Sequence, residues 1–278
     1  MLVVNTIEEL KDVVFRIKSS GKSVGLVPTM GALHNGHLSL LKKAKSENEA
    51  VVCSIFVNPV QFNNPVDLEK YPRNVKADLE LIEPYVDVAF TPTPEEIFPE
   101  PPKEHYDFGM LERVMEGAFR PGHFNGVGII VKRLLDWTMP DKAYFGEKDF
   151  QQLVIIKSLV KQYHIDTEIV PCPIVREESG LALSSRNERL SPEERTKAAK
   201  IHEILNKSLS LKESPIQDIK DFVSSEINKI DGFKLDYYEI VDDQTLQPVV
   251  TTELSNGVIG CIAVYVGEVR LIDNIRYK

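Results

Sequence analysis

Two histidines three positions apart, His34 and His37, are the residues of this sequence whose types and spacing most directly suggest chemistry. They lie in the segment PTMGALHNGH, residues 28–37, which also contains Gly31 and Gly36. An imidazole can donate a hydrogen bond to a phosphate oxygen and can change its charge near neutral pH. Glycine lets the backbone approach a ligand closely because it has no side chain. The segment therefore favours contact with a nucleotide phosphate.

The elements predicted on either side of this segment would position both imidazoles. The apolar run SVGLV at 23–27 predicts a buried strand, and residues 38–44 have the pattern of a helix. The loop would then lie beside a helix N-terminus, where backbone N–H groups attract anions. Two other interpretations stay open. The histidines could cap or pack the helix, or they could bind a metal, although no third ligand stands at a familiar spacing.

A second strand-to-helix junction is predicted at Gly146-Glu147-Lys148-Asp149, between a strand at 142–145 and a helix at 149–163. Its backbone N–H groups would again face an anion. Lys148 would neutralise phosphate charge, and Asp149 could hold a ribose or the lysine itself. The alternative is a charged helix start on the surface.

The segment GLALSSRN, residues 180–187, is small, polar and flexible. Ser184 and Ser185 can donate hydrogen bonds to phosphate oxygens, and Arg186 can bind them in a bidentate manner. An interdomain linker would have a similar composition, and we expect this segment to serve both purposes.

Three neutral amides could recognise a small polar acid. Asn58 and Gln61 follow a predicted strand at 50–57, and Gln152 shares a helix face with Lys148 and Asp149. An amide can donate to a carboxylate or hydroxyl without adding a charge that must be desolvated. Asn58 could instead start a turn, because Asn-Pro is a common loop opening. Asp78 could meet a magnesium ion, but we expect a solvated carboxylate on a helix.

The order of the predicted elements indicates two domains. Apolar strands and helices alternate up to about residue 175, which predicts a Rossmann-like, doubly wound parallel sheet with helices on both faces. Residues 91–104 carry five prolines, so they cannot form a regular helix or strand. Helices at 191–211 and 214–230 and strands at 235–241, 258–266 and 269–275 then predict a smaller α+β domain. We therefore expect an α/β domain at 1–178 and a lid domain at 179–278.

Composition and net charge indicate which kinds of molecule this protein could bind. The chain has 278 residues and a formal net charge of −9, which would repel a nucleic-acid backbone and favours small-molecule substrates. No apolar run reaches the ~18 residues that a membrane span needs. The N-terminus has acids where a signal peptide has basic residues. Three widely spaced cysteines fit reduced thiols. We therefore expect a cytoplasmic protein that binds neither nucleic acid nor membrane.

The His-x-Gly-His pattern resembles the signature of the nucleotidyltransferase superfamily, which includes class I aminoacyl-tRNA synthetases. Further blocks resemble the pantothenate synthetases (pantoate–β-alanine ligases), and they run in the order of that family. The blocks are PTMGALH at 28–34, FVNPVQF at 56–62, YPR at 71–73, AYFGEKDFQQL at 143–153, VRE at 175–177 and GLALSSRN at 180–187. Many relatives have Met where Leu183 stands, a change that conserves volume.

The resemblance implies an ATP-dependent, AMP-forming ligase that condenses pantoate with β-alanine through a pantoyl adenylate and releases pyrophosphate. It implies magnesium, with no protein ligand assigned to it, and a homodimer. The implied catalytic residues are His37, His34, Lys148 and Arg186. The implied pantoate and β-alanine contacts are Gln61 and Gln152, with Asn58 a weaker candidate. The implied ATP contacts are Met30, Gly31, Ala32, Leu33, His34, Asn35, Gly36, His37, Gly146, Glu147, Lys148, Asp149, Val175, Leu183, Ser184, Ser185 and Arg186.

Two alternative functions stay open. A nucleotidyltransferase could move AMP onto a phosphate ester, but it would need extra cations where Gln61 and Gln152 stand. A non-catalytic module could keep the fold to bind a nucleotide or RNA, but the charge of −9 and the complete His, Lys and Arg set argue against it. The roles of Arg120 and His123, which also resemble the family, stay undecided between the site and a loop or interface.

Overall fold

Short apolar runs separated by amphipathic segments build a parallel sheet from the first two thirds of the chain. A computed structural model describes residues 1–251 and 255–278. The six strands of the parallel sheet are β1 (Leu2–Val4), β2 (Val24–Thr29), β3 (Ala50–Ile55), β4 (Val88–Phe90), β5 (Lys142–Gly146) and β6 (Glu168–Cys172). Strands β2 and β3 are almost entirely buried, as expected where helices cover both faces of a sheet.

The helices that alternate with these strands begin at recognisable caps. Thr6 and Glu9 form the capping box of the first helix, and Gly122, with φ of 80°, precedes the seventh. The helices are α1 (Ile7–Ser19), α2 (Asn35–Glu47), α3 (Pro65–Glu69), α4 (Val75–Ile82), α5 (Pro94–Ile97), α6 (Met115–Phe119), α7 (His123–Thr138) and α8 (Phe150–Gln162).

The strand order β1-β4-β3-β2-β5-β6, with every neighbouring pair parallel, is that of a doubly wound sheet. The predicted Rossmann-like fold is therefore confirmed. The winding reverses between β2 and β5, which lie side by side in the register Gly25–Lys142 and Leu26–Ala143. Ligands of such sheets bind beyond the carboxyl ends of the strands at this reversal. Strand β2 leads there into residues 30–37, and β5 leads into Glu147.

The last hundred residues form helices and an antiparallel sheet. The helices are α9 (Pro192–Ala198), α10 (Lys200–Ser208) and α11 (Ile216–Asn228), and the strands are β7 (Phe233–Asp242), β8 (Val258–Val266) and β9 (Val269–Arg276), paired in the order β7-β8-β9. The helix predicted at 191–211 is interrupted at Ala199, whose dihedrals remain near helical values, and it ends in a 3-10 turn.

Two compact units divide the chain, and each contains more than one segment. The N-terminal unit comprises 1–108, 120–147 and 155–173; the C-terminal unit comprises 109–119, 148–154 and 174–278. Each has its own apolar core, around β3 and α2 in the first and around β8 and α10 in the second. The assignment of 1–178 and 179–278 as catalytic and lid domains stays a prediction.

Two local expectations differ from the structure. Residues 91–104 do contain one helical turn, α5, because Thr93 caps it and Pro94 takes the first helical position, where a missing N–H costs nothing. Strand β1 was not predicted, since three residues give too short a pattern; it pairs with β4 at the edge of the sheet.

Candidate functional site

His34 and His37 stand at the start of α2, and both cap it. The Nδ1 atom of His34 accepts a hydrogen bond from the Gly36 N–H at 3.1 Å, and His37 Nδ1 accepts from the His34 N–H at 3.3 Å. The two ring centroids lie 4.1 Å apart. Because each Nδ1 accepts, the proton of each neutral ring is on Nε2. The capping interpretation and the donor interpretation are thus compatible.

The backbone of the preceding turn is held by Asp78 on α4. The Asp78 carboxylate is 3% exposed and accepts hydrogen bonds from the N–H groups of Ala32 at 3.0 Å and Leu33 at 2.7 Å. The expectation that Asp78 is solvated was therefore wrong. Gly31 and Ala32 both have positive φ, 80° and 49°. Successive N–H groups in such a turn form a concave anion site, and here a carboxylate of the protein fills it.

Gly31 is required by this arrangement. A Cβ at this position would lie 3.0 Å from Asp78 Oδ2 and 3.3 Å from Ile55 Cγ2, on a backbone whose φ already disfavours a side chain. The close approach between the turn and α4 thus fixes the residue at which α2 begins. It also fixes the position of both imidazoles, which lie at that end of the helix.

Asn58 and Gln61 frame a short 3-10 turn after β3. Asn58 is 1% exposed, and its amide donates to Gly126 O at 3.0 Å and Gln61 Oε1 at 3.1 Å. Its Oδ1 accepts from the Val60 N–H, so the predicted turn-starting role is present. The Gln61 Nε2 atom lies 3.1 Å from the sulfur of Met30, which belongs to the segment 30–37 that carries both histidines, here named the His loop. Gln61 and the His loop are therefore in direct contact.

Arg120 and His123 hold the main chain of Gln61. His123 is buried at the start of α7, and its Nδ1 lies 2.8 Å from Gln61 O; its Nε2 lies 3.2 Å from Arg120 Nη1. Helix α7 approaches so closely that a Cβ on Gly126 would lie 2.6 Å from Val60 O. Arg120 and His123 thus support Gln61, a role that the sequence alone did not reveal.

Lys148 follows the β5 junction, in the C-terminal unit. Its ammonium lies 3.0 Å from Asp149 Oδ2, as one predicted role of Asp149 requires, and its side chain is 18% exposed. Its carbonyl oxygen accepts a hydrogen bond from Asn274 Nδ2 at 3.1 Å. Gly146 and Glu147 end the corresponding segment of the N-terminal unit.

The two adjacent glutamines of α8 differ in environment. Gln151 is buried, and its amide bonds to the Glu116 N–H and to the carbonyls of Leu111 and Val114. Gln152 is partly exposed, and its side chain makes no hydrogen bond within the part of the chain that the structure describes. Gln151 therefore has a structural role, which leaves Gln152 as the ligand candidate of this pair.

The serine- and arginine-containing loop follows a narrow hairpin in the C-terminal unit. Val175 O accepts from the Leu183 N–H at 3.0 Å, and Gly180, with φ of 92°, makes the turn. Ser184 then caps a 3-10 turn, Ser185–Arg189, by accepting from the Arg186 N–H. Ser185 is buried and Arg186 is partly exposed.

The structure thus distributes the predicted site residues over both units. His34, His37, Asn58 and Gln61 belong to the N-terminal unit with residues 30–36, 146 and 147; Lys148, Asp149, Gln152, Val175 and residues 183–186 belong to the C-terminal unit. Asp78, Asp273 and Asn274 are buried supports that were not predicted from the sequence. For the last two a signal existed, because two consecutive polar residues interrupt the apolar strand β9.

Neither a metal cage nor an activated thiol is found in the described residues. Residues 1–251 and 255–278 contain no group of three or more His, Cys, Asp or Glu side chains arranged to hold a metal ion. Burial raises the pKa of Cys53 and Cys261 to about 12 and that of Cys172 to about 11. All three thiols therefore stay protonated near neutral pH. None of the described helices is long and apolar enough to span a membrane.

Comparison with known proteins gives concordant matches over the whole chain. The family model described as pantoate-beta-alanine ligase matches residues 2–276. A pantothenate synthetase of Bacteroides fragilis is 53% identical over 100% of this chain and 99% of its own length. A crystal structure of the Thermus thermophilus pantothenate synthetase superposes with a TM-score of 0.93 at 40% identity, covering 100% and 99% of the two chains. The Francisella tularensis pantoate-beta-alanine ligase, complexed with beta-gamma ATP and beta-alanine, gives a TM-score of 0.84 at 39% identity over 100% and 98%.

Proposed function

This chain belongs to the pantoate–β-alanine ligase family, and from that premise we propose how its residues carry out the reaction. The enzyme is a carbon–nitrogen ligase that condenses pantoate with β-alanine at the expense of ATP. Pantoate is first activated as pantoyl adenylate with release of pyrophosphate. The amine of β-alanine then displaces AMP. Activation is needed because a free carboxylate would have to expel oxide, a very poor leaving group.

His34 and His37 stabilise the charge that develops on the α-phosphate. A pantoate carboxylate oxygen attacks the α-phosphorus, and the bond to the β,γ-pyrophosphate breaks. The Nε2–H groups of both rings donate to the non-bridging α-phosphate oxygens, while each Nδ1 is committed to the cap of α2. The cap fixes the rings before substrate binds, so little reorganisation is needed. Losing one such donor costs ~3–4 kcal/mol of transition-state stabilisation.

Cationic and hydroxyl side chains bind the leaving pyrophosphate. Lys148 and Arg186 supply charge, and Ser184 and Ser185 supply hydroxyl donors. We assign the remaining nucleotide contacts to residues 30–33, Asn35, Gly36, Gly146, Glu147, Asp149, Val175 and Leu183. The N–H groups of Ala32 and Leu33 are bonded to Asp78, so these two residues would contribute other atoms. The support for these roles is the strand-to-helix position of the first two segments and the hairpin that precedes Ser184.

Pantoate is recognised by the amides of Gln61 and Gln152. The contact between Gln61 and Met30 places this amide beside the His loop, which supports its role in orienting the acid that attacks phosphorus. Asn58 is fully engaged with Gly126, Gln61 and Val60, and we therefore propose that it positions Gln61 and does not itself bind pantoate.

The second step needs no covalent enzyme intermediate. The β-alanine amine attacks the acyl carbon of pantoyl adenylate, the amine loses a proton, and AMP leaves with the electrons of the acyl–oxygen bond. The three cysteines, buried and protonated near neutral pH, take no part. We also propose that residues 179–278 act as a lid that keeps water from the adenylate, which would otherwise hydrolyse.

Magnesium would be supplied with the nucleotide. The described residues offer no cage of carboxylates and imidazoles, and Mg²⁺ is commonly held by substrate phosphates and water with few protein ligands. When bound, it would spread the negative charge of the triphosphate.

We further propose a cytoplasmic homodimer, as the family resemblance implies. Light scattering of the purified protein tests the dimer, because a monomer mass at micromolar concentration would exclude a stable one.

The observation that carries the proposed function is the pair of imidazoles whose Nδ1 atoms are tied to the helix cap. The decisive experiment supplies ATP and pantoate, then β-alanine or other amines, and identifies the amide by mass spectrometry. We expect pantothenate, with pyrophosphate and AMP in equal amounts. AMP transfer to a phosphate ester would favour a nucleotidyltransferase, and no turnover with both acids would favour a binding module.

A further inference from the structure

Two consecutive polar residues, Asp273 and Asn274, are buried in strand β9 of the C-terminal unit. They are 5% and 8% exposed. Successive side chains of a strand point to opposite faces, so this pair reaches two different neighbours. Burying a carboxylate is costly unless it is paired and hydrogen-bonded, and the contacts of both residues show how that cost is met.

Asp273 binds the hairpin that leads into the Ser184–Arg186 loop. Its carboxylate pairs in a bidentate manner with Arg176, at 2.7 and 2.8 Å, and Arg176 Nη1 also donates to Gly180 O at 3.2 Å. Bidentate pairs fix orientation as well as distance. Asp273 therefore orients Arg176, which in turn holds Gly180 across the hairpin turn, just before the loop begins.

Asn274 binds the main chain of Lys148. Its Nδ2 donates to Lys148 O at 3.1 Å, and its own N–H donates to Asp273 Oδ1 at 2.8 Å. The segment that carries Lys148 and the hairpin that leads into Ser184–Arg186 are thus bonded to adjacent residues of one strand. A change at this pair would displace one cationic segment relative to the other.

Next to Asp273, two buried polar atoms have no hydrogen-bond partner among the described residues: His202 Nδ1 and Asn187 Oδ1. Asn206 Nδ2 lies 2.8 Å from His202 Nε2, so Nε2 accepts and Nδ1 carries the proton. Burial, and then the charge of Arg176, lower the pKa of His202, which keeps the ring neutral at pH 7. Asn187 Nδ2 donates to Ala182 O at 3.0 Å, which orients Oδ1 as an acceptor.

A donor and an acceptor without partners therefore line the same cavity. Its walls include Ala182, Asn187, His202 and Asp273, and it has room for about one water molecule. The Asp273 Oδ2 atom is 3.9 Å from His202 Nδ1, too far for a direct hydrogen bond. A water at this position would accept from His202 Nδ1–H and donate to Asn187 Oδ1 and Asp273 Oδ2. Buried waters typically make two to four such bonds.

We propose that Asp273 and Asn274, together with one water molecule bound by His202 and Asn187, form a polar junction that positions Lys148 and the Ser184–Arg186 loop for adenylation. The water extends the junction into the loop itself, because the Asn187 N–H donates to Ser184 O at 2.9 Å. This inference rests on the proposed function, since it assigns a purpose to the residues that bind phosphate there.

Asn274→Asp tests the positioning role with almost no change in volume. It replaces the donor to Lys148 O by an oxygen and leaves the Arg176–Asp273 pair in place. We expect formation of pantoyl adenylate in single turnover to slow by about ten-fold, below the ~100-fold that a 1 Å misplacement can cost. The reaction of supplied pantoyl adenylate with β-alanine should keep its rate. Asp273→Asn should give the same split between the half-reactions.

Tyr277→Phe is the matched control. It removes the hydroxyl that bonds to Tyr238 and Ser208, which form a separate buried polar cluster of the same unit. It should lower the melting temperature and leave both half-reactions unchanged. If Asn274→Asp behaved in the same way, the junction would be structural only, and the positioning proposal would be wrong.

Lys148→Ala separates this proposal from the proposed function. If the wild type were active, Lys148→Ala impaired and Asn274→Asp normal, the junction proposal would be wrong and the proposed function would stand. A wild type that makes no pantothenate would overturn the proposed function.

The water is tested by a high-resolution crystal structure and by the ¹⁵N shifts of His202. We expect one ordered water bonded to His202 Nδ1 and Asn187 Oδ1 and a proton on Nδ1; an Nε2–H tautomer or a direct His202–Asn187 bond would refute it.

Discussion

At the scale of single residues, His34 combines two roles that a careful substitution can separate. Its Nδ1 caps α2, and its Nε2–H is the proposed donor to phosphate. Asn is a strong N-cap whose side-chain oxygen can replace Nδ1, but it has no group at the position of Nε2. His34→Asn should therefore keep the melting temperature and slow adenylation by roughly 100- to 1,000-fold.

His34→Ala is the companion variant, because it removes both groups. It should lose as much adenylation rate as His34→Asn and, in addition, about 1 kcal/mol of unfolding free energy from the missing cap. Quenched single-turnover reactions without β-alanine measure the rate, and chemical denaturation measures stability. Adenylation at the wild-type rate in His34→Asn would show that His34 acts only as a cap.

Asp78 gives the second prediction at this scale. Asp78→Asn keeps the shape of the side chain but turns one acceptor into a donor facing the N–H groups of Ala32 and Leu33. An unsatisfied buried donor costs about 1–3 kcal/mol, so we expect a loss of that size in unfolding free energy, together with slower adenylation. Glu80→Gln, at an exposed position of the same helix, should change neither quantity. Equal behaviour of the two variants would contradict the support role of Asp78.

Residue types predicted chemistry better than they predicted environment. The histidines, Lys148 and Arg186 could be selected from the sequence because their functional groups suit phosphate. The burial of Asp78 could not, since a carboxylate on a short amphipathic helix is usually solvated, and its partners lie more than forty residues away. The same reason hid the supporting role of Asn58, whose partner Gly126 is brought close only by the packing of α7.

At the scale of elements, Glu47 ties the C-terminal end of α2 to β5. Its carboxylate accepts from Lys43 at 2.7 Å, from Lys142 at 3.1 Å and from the Tyr144 hydroxyl at 3.0 Å. These hydrogen bonds, that of Lys43 first, lower the pKa of Glu47 from 4.5 to about 2. The helix whose other end carries His34 is thus held by a carboxylate that must be ionised.

The pH dependence of stability follows from this shift. Since the pKa in the folded state lies below that of the unfolded chain, the stabilisation is fully present above about pH 4.5 and is lost as the pH falls towards 2. Urea midpoints of the wild type and of Glu47→Gln should therefore differ at pH 7 and converge as the pH falls. A difference that stays constant from pH 7 to pH 3 would contradict this assignment.

Most strands and helices could be predicted because apolar runs and periodic faces are local signals. The segment 109–119 could not, because its order comes from distant partners. Glu116 on α6 forms a bidentate pair with Arg270, at 2.9 and 2.7 Å, and accepts from the Tyr237 hydroxyl. Gln151 bonds to the same segment from α8. A single sequence without an alignment gives no sign of contacts that span up to 154 residues.

At the scale of the whole molecule, the sequence offered the least indication of which chain segments belong to each compact unit. A change of pattern near residue 176 predicted the start of the second fold. The inclusion of 109–119 and 148–154 in the C-terminal unit had no counterpart in that pattern. These short segments join the C-terminal unit because Met115 and Phe150 are buried against apolar residues of β7 and β8, which are distant in the sequence.

Ligand binding to the whole enzyme tests how magnesium is held. If the ion is carried by the triphosphate, Mg²⁺ alone should leave the melting temperature unchanged, because the described residues provide no cage for it. MgATP at about 100 times its dissociation constant should stabilise the fold by ~2.7 kcal/mol, or about 5 °C for a chain of this length. Differential scanning fluorimetry with Mg²⁺, ATP plus EDTA, and MgATP measures all three cases.

Variants of the two proposed phosphate-binding cations sharpen this measurement. Lys148→Ala and Arg186→Ala should reduce the shift caused by MgATP, because they remove charge that the triphosphate would meet. Glu80→Gln should retain the full shift. A rise of several degrees with Mg²⁺ alone would instead show that the protein binds the ion directly, and the assignment of magnesium to the nucleotide would have to be abandoned. If MgATP raised the melting temperature of Lys148→Ala and Arg186→Ala as much as that of the wild type, the triphosphate would bind away from both cations. The first step of the reaction would then also take place away from them.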